Sequence, residues 1–171
     1  MTESIAPAIE RLPALGDALD FLRLFWAVDH AVQLSSKRIE AATGVTGSQR
    51  LVIRIVGRFP GITAGQIAKL LHVHRATLTG IVKRLERQGL IRRRSDPRDG
   101  RRALLGLTEE GRVFDVEAEG SVELAIRRTL ETNAPEKVQA TREVLESIAR
   151  ILSSSQTHRG AEGAALRSGR N

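Results

Sequence analysis

Apolar residues along this chain recur at helical spacing through six segments, interrupted once by two short alternating runs. The first segment predicts a long helix from about Pro13 to Thr43, in which Leu19, Leu22, Trp26 and Ile39 recur while Leu15, Phe25, Val28 and Val32 widen the stripe. Proline is tolerated in a first turn, and Gly44 supplies a left-handed stop. So broad a stripe implies burial on two sides, against the chain's own domain and a second subunit. Residues 1–12 hold Pro7 and no periodicity, and are expected to form an irregular arm.

Thr46-x-x-Gln49 and Thr63-x-x-Gln66 both have the form of a capping box, in which hydroxyl and amide satisfy exposed backbone N–H groups reciprocally. Each predicts a helix start. The first helix would bury Leu51, Val52, Ile55 and Val56, and the second Ile67, Leu70 and Leu71. His72-Val73 then breaks the chain tightly. A further helix is predicted from about Arg75 to Gln88, with Leu78, Ile81, Val82 and Leu85 at i, i+3, i+4 and i+7. Two short helices across such a break make a helix-turn-helix. Leu90–Arg94 and Ala103–Leu107 alternate as strands, and Asp99-Gly100 between them signals the chain reversal. Thr108, followed by Glu109 and Glu110, opens a helix expected to reach about Leu130, although Gly111 and Gly120 weaken it. Asn133-Ala-Pro135-Glu136 opens a last helix to about Leu152. Residues 153–171 are polar and rich in Ser and Gly, and predict a disordered tail. The fold class is therefore mainly α with a small β-hairpin wing.

Charge sharpens this pattern. Between Lys83 and Arg102 there are nine Lys/Arg against three acids, which places a net +6 of the chain's +7 within twenty residues. A solvated surface would scatter its charges; clustering favours a polyanionic partner. On the Arg75–Gln88 helix the side opposite the apolar stripe carries Ala76, Thr79, Gly80, Lys83 and Arg87, flanked by Thr77 and Arg84. Ala76 and Gly80 permit close approach to base edges in a groove about 12 Å wide. Thr77 and Thr79 suit phosphates or a thymine methyl, Arg75 stands at the helix start, and Lys83 and Arg84 reach phosphates, which supply affinity rather than sequence readout. On the wing, Arg98, Asp99, Arg101 and Arg102 form a tip suited to a narrow minor groove, with an Asp99–Arg101 ion pair expected to aim the arginine. The predicted partner is double-stranded DNA.

The chain has no cysteine, which removes disulfides, thiolate metal sites and thiol redox switching. No apolar run approaches the ~18 residues of a membrane span, and the N-terminus lacks the pattern of a secretory signal. A cytoplasmic, nucleoid-associated location is expected. There is no Gly-rich phosphate loop after a strand, no nucleophile elbow and no metal triad, so no catalytic residue, metal site or cofactor is expected.

The run GLIRRRSDPRDGRRALLGLTEEG resembles the wing signature of the MarR family of bacterial transcriptional regulators, GL-x-R followed by D-x-R, an alternating strand and LT-x-x-G. The resemblance continues upstream through TAGQIAKLLHVHRATLTGIVKRLE and covers about residues 44–112. It implies a winged helix-turn-helix over 44–108, flanked by dimerisation helices at 13–43 and 109–152. It further implies a homodimer on a pseudo-palindromic operator, acting as a ligand-responsive repressor. Asp99 and Arg101 match the family's wing Asp-x-Arg, while Ala76, Thr77 and Gly80 fall at its groove-facing helix positions. Gly80 departs from members that carry arginine there, and His74 stands where a serine cap is frequent. Many members are displaced from DNA by small aromatic or anionic effectors bound between the dimerisation helices and the DNA-binding lobe. Trp26, His30, Arg50 and Arg54 are the candidate lining of such a pocket; the alternative is that Trp26 is dimer core and His30 incidental. A different class, an architectural or protein-interaction winged helix without operator specificity, is separated from the regulator by comparing palindromic with random DNA.

Overall fold

The computed structural model describes residues 15–168, with side chains described through Leu152; the expected arm at 1–12 lies outside these residues. The chain divides into two compact units, Met1–Val122 and Glu123–Asn171.

The first unit opens with α1, Asp17–Thr43, which starts four residues later than the sequence pattern suggests. Gly44 ends it in the left-handed conformation (φ 71°) and donates its N–H to the Glu40 carbonyl, as a C-terminal glycine should. Helices α2 (Gly47–Arg58) and α3 (Ala64–Leu70) both begin with the complete capping boxes that their sequences predict. Helix α4 spans Arg75–Arg87, then strands β1 (Ile91–Asp96) and β2 (Asp99–Leu107) form an antiparallel hairpin. The preceding turn joins that sheet: Gly61 N donates to Leu105 O at 2.9 Å and Leu105 N to Ile62 O at 3.0 Å. The core lies among α2, α3, α4 and the base of the hairpin, with Val52, Ile53, Ile67, Leu78, Val82 and Leu85 fully enclosed. Each such side chain contributes roughly 1.5–3 kcal/mol on leaving water. Two apolar faces differ from expectation. Ile53 rather than Leu51 is buried on α2, beside Val52 and Val56, and Ala68 rather than Leu70 on α3, beside Ile67.

The hairpin differs in where it turns. The reversal falls on Pro97-Arg98, not on Asp99-Gly100, since Asp96 pairs with Asp99. Ser95 pairs with Ala103, so Gly100, Arg101 and Arg102 are extra residues bulged out of β2. The Asp-Gly signal was therefore used for a bulge beside the turn.

The helix expected from Thr108 to Leu130 is divided. Helix α5 (Glu109–Arg112) is a single turn, and α6 begins only at Val122 and ends at Glu131. Side chains from elsewhere take the carbonyls that a continuous helix would need. The Arg50 guanidinium donates to Val116 O, Arg54 donates to Asp115 O at 2.8 Å, and Ser35 Oγ donates to Gly120 O at 2.8 Å. Gly120, at φ 72°, lets the chain turn before α6.

In the second unit, α6 is followed by α7, Pro135–Ser168. Where composition predicts a disordered tail from residue 153, the backbone stays helical to Ser168. That stretch contains no proline, and its alanines favour helix against the cost of Gly160 and Gly163.

Candidate nucleic-acid interface

Helix α4 is held by one face and open on the other. Leu78, Val82 and Leu85 are buried, Ile81 is half-buried, and Arg75, Ala76, Thr77, Gly80, Lys83, Arg84 and Arg87 are exposed. The split follows from the 3.6-residue period of the sequence. His74 occupies the N-cap position without a side-chain hydrogen bond, so the first N–H groups of α4 lack the side-chain acceptor that a serine would bring. Such groups favour an anion such as a phosphate. A Cβ added to Gly80 would meet nothing within 4 Å. The helix surface is therefore recessed at that point toward solvent rather than toward the core. Thr79 is half-buried, and its hydroxyl donates to Arg75 O at 2.7 Å. Its proton is used within the helix, which leaves only its oxygen lone pairs and methyl for a partner.

The wing tip is built from two aspartates that accept main-chain N–H groups. Asp96 Oδ1 accepts from Arg98 N at 2.9 Å, and Asp99 Oδ1 accepts from Arg101 N at 3.1 Å. The expected Asp99–Arg101 ion pair is thus replaced by a hydrogen bond to the backbone: Asp99 shapes the bulge from which Arg101 projects. The nearest carboxylate partner on the tip is instead Asp96, 3.9 Å from Arg102. Arg98, Arg101 and Arg102 are all exposed. At the base, Arg93 pairs with Glu86 at 2.6 Å. This pair ties β1 to the last turn of α4 and holds the wing beside that helix. Neither residue stood out in the sequence except as part of the charge cluster, because the seven-residue separation crosses a helix, a turn and a strand.

The four candidate pocket residues lie on α1 and α2 in different surroundings. Trp26 and His30 stand exposed on α1, with Trp26 76 % accessible. Arg50 is buried and engaged with Val116, while Arg54 pairs with Asp115 Oδ1 at 2.6 Å. Gly57 makes room for that carboxylate, since a Cβ there would collide with it. A different cavity, of about 450 Å³, opens behind the wing between Pro60, Gly61, Leu104 and Leu105, with Arg92, Arg94 and Arg112 on its walls. Among the described residues, no cluster of His, Asp or Glu could hold a metal ion, and no helix is long and apolar enough to cross a membrane.

A recessed helix face flanked by cations, beside an arginine-tipped hairpin, is a surface shaped for duplex DNA, and the comparisons with known proteins agree. A family model described as the MarR family matches residues 23–102. The Homoprotocatechuate degradative operon repressor of Escherichia coli is 30% identical over 112 residues, covering 66% of this chain and 76% of that protein. The chain belongs to the MarR family. Among solved structures, a MarR-family transcriptional regulator from Rhodococcus sp. RHA1 matches with a TM-score of 0.60 and 29% identity, over 81% of this chain and 98% of that one. The S. aureus MepR–DNA complex matches with a TM-score of 0.62 and 25% identity, over 77% and 97%. Like its relatives, this MarR-family chain is a DNA-binding transcriptional regulator with the winged helix-turn-helix fold.

Proposed function

We propose that the chain binds a pseudo-palindromic operator as a homodimer, without catalysis of its own, and represses transcription in a manner released by a small effector. The observation that carries the operator reading is the outward face of α4, where Ala76, Thr77 and Gly80 are exposed beside Arg75, Lys83 and Arg84. In this arrangement α4 enters the major groove, Lys83 and Arg84 meet phosphates, and the wing's Arg98, Arg101 and Arg102 follow the adjacent minor groove, with Asp99 holding the bulge. Homodimerisation is supported by the apolar residues that one copy leaves uncovered, among them Leu19, Leu22 and Trp26 on α1, and Leu145 and Ile151 on α7. A cytoplasmic, nucleoid-associated location follows from the same function.

The effector part rests on the cavity behind the wing. Its apolar walls, with Arg92, Arg94 and Arg112, suit a small molecule with an aromatic or aliphatic body and an anionic group. Arg50 and Arg54 are already engaged, which moves the candidate seat away from Trp26 and His30.

The test is binding to a palindromic promoter fragment and to random DNA of equal length at equal salt. A specific regulator binds its site about 10³-fold or more tighter than random sequence. Equal affinities would sink the operator reading in favour of an architectural protein.

A further inference from the structure

We propose that Gln88 is a positioning residue that fixes the recognition helix against the end of α1, and so sets the half-site spacing that two copies accept. The inference rests on the dimer–operator reading above, and adds to it the contact that determines spacing. Helix α4 ends at Arg87, and Gln88 is its C-cap. The Gln88 side chain makes two hydrogen bonds, both to residues about forty positions upstream. Its Oε1 accepts from Gln49 Nε2 at 3.1 Å. Its Nε2 donates to Gly44 O at 3.1 Å. Gln49, only 4 % exposed, accepts the Thr46 N–H at 2.8 Å on its own Oε1. Gly44 is the end of α1 and Thr46 the start of α2. One side chain at the end of the recognition helix is thus bonded to the end of one helix and the start of another.

The chain of amides has one permitted direction. The Thr46 N–H can only donate, so the Gln49 oxygen must face it and the Gln49 NH2 must face Gln88. The Gly44 carbonyl can only accept, so the Gln88 NH2 must face it, which leaves the Gln88 oxygen for Gln49. Each amide is satisfied without a flip. The rest of α4 is held through Leu78, Val82 and Leu85, and its last turn is joined to the wing by the Glu86–Arg93 ion pair. Close packing of those three side chains fixes the body of α4 on the core of its own winged helix. Hydrogen bonds are directional, and these join α4 to the end of α1. Helix α1 presents uncovered apolar residues to a second copy, so whatever locks α4 to α1 carries the geometry of the dimer to the groove.

The experiment measures affinity for an operator at its best spacing, for operators with the half-sites one base pair closer or further apart, and for a duplex with a single half-site. The wild type is compared with Gln88→Leu, which removes both bonds, and Gln88→Glu, which can still accept from Gln49 but cannot donate to Gly44. Gln88 is exposed, and thermal melts check that both variants stay folded. The wild type is expected to prefer the best spacing by about tenfold, the scale of one or two directional contacts. Both variants are expected to bind all spacings alike, with Gln88→Leu matching the wild type on the single half-site. A variant that keeps the wild-type preference overturns the proposal. So does a Gln88→Leu that loses single-site and palindrome affinity equally, since Gln88 would then only hold the winged helix together. A wild type indifferent to spacing overturns the dimer–operator reading itself, and the proposal with it.

Discussion

The proposed operator contact places Gly80 on the groove side of α4. Nothing inside the molecule requires it, because a Cβ would project into open space. Alanine is better than glycine in a helix interior by about 1 kcal/mol, so the chain forgoes stability at that point. Gly80→Ala is expected to raise stability by about 0.5–1 kcal/mol in thermal or denaturant melts, while operator affinity falls. A stabilised variant with full affinity would remove Gly80 from the groove contact. On the wing, Arg101→Ala is expected to weaken operator binding and to lower the slope of log affinity against log salt by about 1, without a change in fold. Wild-type affinity at physiological salt would take the wing out of the mechanism. The sequence names Gly80, Asp99 and Arg101 as candidates, but not how the wing holds the latter two. Asp99 acts on the Arg101 main chain rather than its guanidinium, and that depends on a bulge that only the strand register reveals.

At the level of elements, local signals were readable wherever the physics is local. Thr46, Thr63 and Thr108 each cap the helix that their sequence announces, because the bond closes within three residues. Gly111 and Gly120 signalled a bend in the helix after Thr108, and Gly120 does turn the chain at φ 72°, but a full division was not readable. Its causes, Arg50 and Arg54, lie 66 and 61 residues away from the carbonyls they hold. Gly111 belongs to the same junction. A Cβ there would strike the Leu90 carbonyl, which is backbone and cannot swing aside. Thr108 completes the contact, donating from Oγ1 to Gly89 O at 2.6 Å and accepting from Gly111 N at 3.0 Å. Gly111→Ala is therefore expected to cost about 1–3 kcal/mol, the range for overpacking a close contact, seen as a lower denaturation midpoint. A variant as stable as the wild type would mean that β2 and α5 part freely from the end of α4.

Across the whole molecule, positive charge and uncovered apolar surface fall in different places, which suits a protein with two kinds of macromolecular partner. Helix α1 has no buried residue in a single copy, although its sequence carries the widest apolar stripe of the chain. The sequence pattern predicts burial on two sides, whereas a single copy buries neither; the proposed homodimer would cover the stripe with a second copy, which one chain's pattern does not describe. Leu22→Glu, in the middle of that stripe, is expected to shift the protein from dimer to monomer in sedimentation and to weaken palindrome binding more than half-site binding. A dimer that survives the charge would place the subunit contact elsewhere. How residues 62–108 meet DNA is measured by a hydroxyl-radical footprint on the operator. The expected footprint is two protected blocks about one helical turn (~34 Å) apart, where the recognition helices enter, with flanking minor-groove protection that Arg101→Ala removes. A single block, or uniform weak protection indifferent to Arg101→Ala, would contradict it.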